Sequence, residues 1–394
     1  MPAKSNLNTD DIQRVLTDAV TAGIPGITAA AATADGPIFE GAAGRRGLDT
    51  DVAMTPDTVF RIASMTKAVT AVAAMQLVEQ GKIGLDQPAA EILPFLAAPQ
   101  VLEGFDDAGK PKLRPARGTI TLRNLLTHSS GFVYDNWNGS MHRYMRDTGT
   151  PAARTGRLAG LEVPLGFDPG ERWEYGIGID VAGRMVEVVT GQDLDTCMRT
   201  NIFAPLGMPD TGYHLRPDTE SRLAHLHGRQ ADGSLTVLDA PAPRYAEFIP
   251  GGGGLFSTAR DYLTFLQALM HGGTWNGARI LRPETVALMG QNHMGDLDVL
   301  PMVTFNARLS NDVELFPGMR KKWGLSFLIN TEQGAAGRSA GSLAWAGLNN
   351  TYYWLDPAAR VAGVLMTQIL PFGDRAVLDT LDRFEAAVYR AIRG

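Results

Sequence analysis

The chain has 394 residues, 44% of them hydrophobic, and a formal net charge of -6 spread without long like-charge blocks. That length and apolar content argue against a disordered chain, because a large core can be buried, and the charge excludes the basic footprint of a nucleic-acid binder. A single cysteine, Cys197, excludes an intramolecular disulfide; without a neighbouring cluster at metal-ligand spacing it reads as a buried thiol.

The first residues, Met1-Pro2-Ala3-Lys4-Ser5-Asn6, run into the polar Asn8-Thr9-Asp10-Asp11 and lack the apolar centre of a secretory signal. No apolar run of about 18 residues follows, so a cytoplasmic protein that does not enter membranes is expected. Asn8 or Thr9 caps a helix carrying Ile12, Val15, Leu16, Ala19 and Val20 on one side. Residues 26–33 and 37–43 read as strands joined by Ala34-Asp35-Gly36, a hairpin signal. From Ser64 onward, Val69, Val72, Ala73, Gln76, Leu77 and Val78 continue a helix closed by Gly81.

Residues 85–235 read mostly as short helices and loops, with helices at 121–127 and at 179–190, the latter closed by Gly191. Strand signals return at 323–330, 342–347, 351–355 and 361–368, with Asp356-Pro357 marking a turn. A final helix over 374–392 carries Val377, Leu378, Leu381, Phe384, Ala387, Val388 and Ala391 on one side.

This order predicts an α/β (α+β) fold, with one antiparallel sheet assembled from both chain ends, flanked by helices, and a mostly helical region inserted between them. Residues 1–62 and 240–394 form the sheet domain in this reading and 63–239 the helical one, with the active site in the cleft between them. The segment 295–322, poor in periodic signals, is an expected loop or lid over that cleft.

Ser64-Met65-Thr66-Lys67 sets a serine three residues before a lysine at a helix start. On one helix face the amine curls back to the hydroxyl, and the helix dipole with burial favours a neutral amine base. A serine that merely caps the helix, with a solvated lysine, explains these four residues equally well.

Further segments separate the two readings. Tyr175-Gly176-Ile177 precedes a helix, Trp345-Ala346-Gly347 lies on a late strand, and Leu125-Leu126-Thr127-His128-Ser129-Ser130-Gly131 and the run from Gly253 to Asp261 fall between the others in chain order. In this arrangement the sequence resembles the serine beta-lactamase and penicillin-binding-protein superfamily, in its class C-like branch, which includes family VIII carboxylesterases and related acyltransferases. The resemblance covers residues 10–392. It implies a beta-lactamase-like fold, Ser64 as the acylated nucleophile, Lys67 with Tyr175 as its base network, and an oxyanion hole made by the backbone N–H groups of Ser64 and Leu348. One such donor is typically worth ~10² to 10³ in turnover. No cofactor and no metal are implied.

Two positions depart from the family pattern. Ile177 stands where an asparagine binds the substrate amide, and its side chain neither donates nor accepts. Trp345 replaces the lysine that helps to hold a substrate carboxylate. A pocket bordered by Trp345, Gly347 and Ile177 therefore favours a small uncharged ester over a beta-lactam or a D-Ala-D-Ala peptide. Tyr134, Trp137 and Trp173 are further aromatics that either line that pocket or pack in the core.

The expected activity is a serine carboxylesterase of short or medium acyl esters working through a Ser64 acyl-enzyme. Acyl transfer to an alcohol, beta-lactamase or DD-peptidase activity, and a non-catalytic sensor are the alternatives. His128 reads as structural, and the absence of Gly-x-Ser-x-Gly removes a nucleophile elbow of the α/β-hydrolase kind. The run Gly251 to Gly254 reads as a flexible turn beside the cleft, Thr258 with Asp261 as a capping box, and His225 and His227 as surface histidines.

Overall fold

Strand β1 (Gly26–Thr33) is built of small residues buried along nearly its whole length, and this places it in the middle of a layered structure. The computed structural model describes residues 9–393, so the readings on Asn8 and on Met1 to Asn6 lie outside the described residues. β1 pairs with β2 (Gly36–Gly44) in the expected hairpin, with a bulge between Ala31 and Ala32. Its other edge pairs antiparallel with β7 (Val361–Met366), Ala30 facing Val364.

The remaining strands come from the late part of the chain: β3 (Lys321–Trp323), β4 (Leu328–Asn330), β5 (Leu343–Gly347) and β6 (Thr351–Asp356). The sheet order is β3-β4-β5-β6-β7-β1-β2, antiparallel throughout. Both chain ends thus meet at the β1–β7 pair.

Helix α1 (Asp10–Thr21) and the C-terminal helix α5 (Arg375–Arg393) pack on each other over one face of this sheet, where Phe384 meets Trp354 and Phe39. Thr9 occupies the α1 cap position without a side-chain cap bond; Asp10 and Asp11 place acidic charge in the first turn instead. On the opposite face α4 (Ala259–Met270) lies against β1 and β7, and its Tyr262 ring meets Tyr353 of β6.

Helix α2 (Thr66–Glu79) is buried on all sides from Thr66 through Met75, which its nearly uniform run of small and apolar residues permits. It packs against α3 (Gly178–Thr190), whose end at Gly191 is left-handed. These two helices and α4 carry the site's backbone.

Two expectations need correction. The single strand expected over 323–330 is two strands, β3 and β4, because Gly324 packs on the Met289 carbonyl, where a Cβ would come within 2.3 Å, and Ser326 turns at φ 76° while donating to Leu126 O at 3.0 Å. The helical region also holds a hairpin, Gln100–Phe105 with Pro111–Pro115, and the strand Leu226–Arg229, which pairs with Leu235–Leu238 and, in parallel, with Ile369–Leu370. Segment 295–322 is a loop, as expected, until β3 begins at Lys321. Met302 and Val313 exchange backbone hydrogen bonds at 2.9 Å, the Phe305 N–H donates to Asn136 O at 2.8 Å, and the Asn311 N–H donates to Phe372 O at 2.9 Å.

Candidate active site

The turn carrying Ser64 is a 3-10 turn, Ala63–Met65, immediately ahead of α2. Ala63 sits at φ 44°, a left-handed conformation that costs a non-glycine residue ~1–3 kcal/mol and persists only where neighbours impose it. The neighbours here are Leu255, whose carbonyl accepts the Ile62 N–H at 3.0 Å and whose N–H reaches Thr66 Oγ1 at 3.2 Å, and Tyr262, which donates to Met65 O at 2.8 Å. The sheet-side helix α4 and the glycine-rich run before it therefore clamp the turn.

Lys67 is fully buried, and its Nζ donates to Ser64 Oγ at 3.0 Å, Tyr134 Oη at 3.1 Å and Gly252 O at 2.6 Å. These three acceptors take all three protons of an ammonium. The Nζ also stands 4.8 Å from the ring centroid of Tyr175 and 5.1 Å from that of Tyr134, where aromatic faces favour a cation. The solvated-lysine reading of this position fails on its burial.

Behind Lys67 lies a group that the sequence reading missed. Asp180, in the first turn of α3, accepts the Tyr134 hydroxyl on Oδ2 at 3.2 Å and the Gly252 N–H on Oδ1 at 2.9 Å. Burial raises the Asp180 carboxyl above its ordinary range, against the pull of Lys67, and burial together with Asp180 pushes the Tyr134 phenol well above 10.0. An acidic residue inside the apolar Gly178-Ile179-Asp180-Val181-Ala182 was the available signal.

The glycine run is packed, not a flexible turn. A Cβ on Gly251 would lie 2.7 Å from Ile179 O, and one on Gly252 would lie 2.3 Å from Asp180 Oδ2, so backbone can come this close to α2 and α3 only without side chains. Thr70 Oγ1 donates to Gly251 O at 2.7 Å from the α2 side.

Tyr175 is buried and offers its ring face, not its hydroxyl, to Lys67; among the described residues its Oη bonds instead to Trp345 Nε1, which donates at 3.2 Å. Trp345 is 5% exposed, with its ring centroid 5.0 Å from that of Tyr175 and 4.6 Å from that of Trp323. It supplies a neutral N–H donor to Tyr175 at the position where the family pattern has a charged lysine. Ile177 is likewise buried, at the cap of α3, with no side-chain cap bond.

Gly347 ends β5 against the nucleophile turn: a Cβ there would lie 2.2 Å from Ile62 O and 2.3 Å from Thr351 Oγ1. This contact sets Leu348, partly exposed, next to the Ser64 turn, and Asn349 Nδ2 reinforces it by donating to Arg61 O at 3.2 Å. Among the described residues neither the Ser64 nor the Leu348 backbone N–H has a hydrogen-bond partner.

His128 is enclosed by the rings of Tyr175, Trp323 and Trp173, at centroid distances of 4.7, 5.1 and 6.3 Å. Its Nδ1 accepts the Gly176 N–H at 3.3 Å, its Nε2 has no partner among the described residues, and burial with the Lys67 charge holds its pKa well below 6.5. A neutral ring that fixes the backbone beside Tyr175 is what this geometry provides.

Trp173 is buried and Trp137, whose centroid is 5.2 Å from that of Tyr175, is partly buried. His227 is not a surface histidine: it is buried, with Leu48 N–H donating to Nε2 at 3.2 Å and Gln368 O 3.2 Å from Nδ1. His225 is half-exposed and pairs with Asp49 at 2.6 Å. Thr258 caps α4 by accepting the Asp261 N–H at 3.1 Å, but the buried Asp261 carboxylate, its pKa pushed up to about 6 by burial, accepts from Asp210 N–H and Thr211 instead of closing a box. Cys197 is a buried free thiol, and no metal-holding group of His, Cys, Asp and Glu occurs among the described residues. No helix among them is long and apolar enough to cross a membrane.

The beta-lactamase family model matches residues 12–387, and the chain belongs to that family. It is 36% identical over 349 residues to monacolin J acid methylbutanoyltransferase of Aspergillus terreus, covering 84% of this chain and 82% of that protein. It is 33% identical over 348 residues to lovastatin esterase of Penicillium rubens, covering 85% of this chain and 86% of that one. Among solved structures, unliganded simvastatin synthase from Aspergillus terreus superposes with a TM-score of 0.84 at 33% identity, over 96% of this chain and 97% of that one. The chain is accordingly an enzyme of the serine hydrolase type, with a beta-lactamase-like fold.

Proposed function

We propose that this beta-lactamase-family chain is a carboxylesterase that takes short or medium acyl groups from uncharged esters onto Ser64 and passes them to water. The observation that carries this reading is the 3.0 Å contact between Ser64 Oγ and the buried Lys67 Nζ. Lys67 serves as the base, or Tyr175 in concert with it. Ser64 Oγ attacks the ester carbonyl carbon as its proton moves into that network. The Ser64 and Leu348 N–H groups receive the developing oxyanion, since both are free to donate. The tetrahedral carbon then expels the alkoxide, which takes the proton; water next attacks the acyl carbonyl carbon while giving a proton to the same network, and collapse breaks the C–Oγ bond, releasing the acid as that proton returns to Ser64 Oγ.

The absence of a lysine from the third motif supports an uncharged substrate. Trp345 spends its donor on Tyr175, so no cation stands at that position to hold a carboxylate or a beta-lactam acid. A second reading is transfer of the acyl group to an alcohol, favoured by the likeness to a methylbutanoyltransferase. It uses the same residues and differs only in the group that attacks the acyl-enzyme.

The test is a panel of p-nitrophenyl esters of increasing acyl length, run beside a chromogenic cephalosporin, with products analysed after an alcohol acceptor is added. Turnover of the esters that is lost in Ser64→Ala is expected. Rapid cephalosporin hydrolysis without ester cleavage would reverse the proposal, and acyl transfer outrunning hydrolysis would favour the second reading.

A further inference from the structure

Building on the acyl-enzyme reading, we propose that Asp180 and Tyr134 are positioning residues that aim the lone pair of Lys67 at Ser64. A neutral lysine amine has two N–H donors and one lone pair, and its C–N bond rotates freely in solution, so a buried amine acts as a base only if its environment chooses which direction the lone pair faces. Lys67 Nζ has three polar neighbours: Ser64 Oγ at 3.0 Å, Tyr134 Oη at 3.1 Å and Gly252 O at 2.6 Å. If the latter two both accept, the lone pair is left facing the Ser64 hydroxyl.

The Gly252 carbonyl has no proton and can only accept. Tyr134 is ambiguous, because a phenol can also turn its own O–H onto the amine lone pair and block the base. Asp180 removes that ambiguity. Its Oδ2, 3.2 Å from Tyr134 Oη, draws the phenolic proton away from Lys67, and its Oδ1 takes the Gly252 N–H at 2.9 Å, fixing the peptide whose carbonyl serves Lys67. One buried carboxylate thus orients both of the acceptors that flank the amine.

The packing enforces this arrangement. Asp180 is 2% exposed, which shields its oxygens from bulk solvent, and a Cβ on Gly252 would strike Asp180 Oδ2 at 2.3 Å and Tyr134 Oη at 2.8 Å. Proton bookkeeping closes without further groups. The Ser64 proton passes to Lys67 Nζ as the Oγ–C bond forms, the ammonium then donates to the same three oxygens, and the proton leaves with the alkoxide when the C–O bond breaks. Asp180 and Tyr134 exchange no proton with substrate.

The experiment measures burst-phase acylation by p-nitrophenyl butyrate in the wild type, Tyr134→Phe, Asp180→Asn and the double variant, with KM, thermal unfolding and fluorophosphonate labelling of Ser64 followed in parallel. Asparagine at 180 must present its amide N–H to one of the two partners; when it faces Tyr134, the phenol turns onto Lys67. Acylation is expected to slow about 10- to 100-fold in each single variant, the scale set by small misplacements of a reacting group, with KM nearly unchanged. The double variant should be no slower than the worse single one, because both act through the same hydrogen bond. Wild-type acylation in Tyr134→Phe, or losses that multiply in the double variant, would overturn the proposal. Should Asp180→Asn fail to fold, Tyr134→Phe, which deletes a single oxygen, decides alone by the same criterion. A wild type that neither bursts nor labels at Ser64 overturns the acyl-enzyme reading itself, whereas a labelled wild type with unimpaired variants overturns only the positioning role.

Discussion

The indole Nε1 of Trp345 donates a hydrogen bond to the hydroxyl oxygen of Tyr175 at 3.2 Å, and both residues are almost wholly buried. The strand residue that replaces a charged lysine therefore still reaches the tyrosine of the site, as a neutral donor. Removing that donor in Trp345→Phe keeps the ring stack but leaves Tyr175 one hydrogen bond short, a change worth about 1 kcal/mol. We expect kcat for a p-nitrophenyl ester to fall roughly 5-fold with KM little changed; an unchanged kcat would separate Trp345 from the chemistry.

Tyr175→Phe tests the tyrosine itself. A proton-transferring side chain contributes about 10²- to 10⁴-fold, so a loss of that size is expected at unaltered folding, read by steady-state kinetics and circular dichroism. Wild-type rates in Tyr175→Phe would reduce Tyr175 to the cation-facing ring that the 4.8 Å contact with Lys67 already shows.

Ser64→Ala and Lys67→Ala should both abolish ester turnover, but for separable reasons. Ser64→Ala deletes one partly exposed oxygen and is expected to unfold near the wild-type temperature. Lys67→Ala empties a fully buried site and leaves the hydroxyl of Tyr134 and the carbonyl of Gly252 without their donor, so it should also lower the thermal midpoint measured by calorimetry.

Gly347→Ala places a methyl group 2.2 Å from the Ile62 carbonyl, a backbone atom that cannot swing aside. The end of β5 must then separate from the Ser64 turn, carrying the Leu348 N–H with it. Ester hydrolysis should drop at least ~10²-fold, the cost of losing one oxyanion donor, while far-ultraviolet dichroism stays native.

Acid should weaken the fold through His128 and His227, which are buried, and His293, which is half-buried. The folded chain holds the pKa of His128 well below 6.5, and those of His227 and His293 are lowered too, whereas the unfolded chain has them at ordinary values. Below about pH 6.5 the unfolded state therefore binds protons that the folded state refuses, and stability falls as pH falls, by up to ~1.4 kcal/mol per pH unit for each such group. His128→Asn, whose side-chain oxygen can still accept the Gly176 N–H, should make the acid limb of a urea-denaturation series shallower by about one proton. An identical slope in the variant would show that His128 is not among the groups responsible.

Local chemistry made much of the fold legible. The apolar side of α1 and α5, the Asp-Gly hairpin between β1 and β2, and the Gly191 stop of α3 depend on neighbours a few residues away, and each lies close to its expected place. The strand break at Ser326 was not legible, because it answers to Leu126, about 200 residues earlier in the chain. Nor was the packed state of the Gly251 to Gly254 run, which reads as a loose turn until α2 and α3 are placed on either side of it.

The sequence by itself determined the order of the elements, the sheet drawn from both chain ends, and the pairing of Ser64 with Lys67, because a three-residue spacing at a helix start brings two side chains to one face whatever surrounds them. Tertiary structure decided the rest of the site. That Lys67 is flanked by Tyr134 and Gly252, that Asp180 holds both, and that Tyr175 turns its hydroxyl to Trp345 are contacts between residues up to 185 positions apart. They arise where α2, α3 and β5 converge and bury these groups. Hydrogen bonds there must be satisfied by whichever groups the packing brings within reach, and no periodicity in the chain records which groups those are.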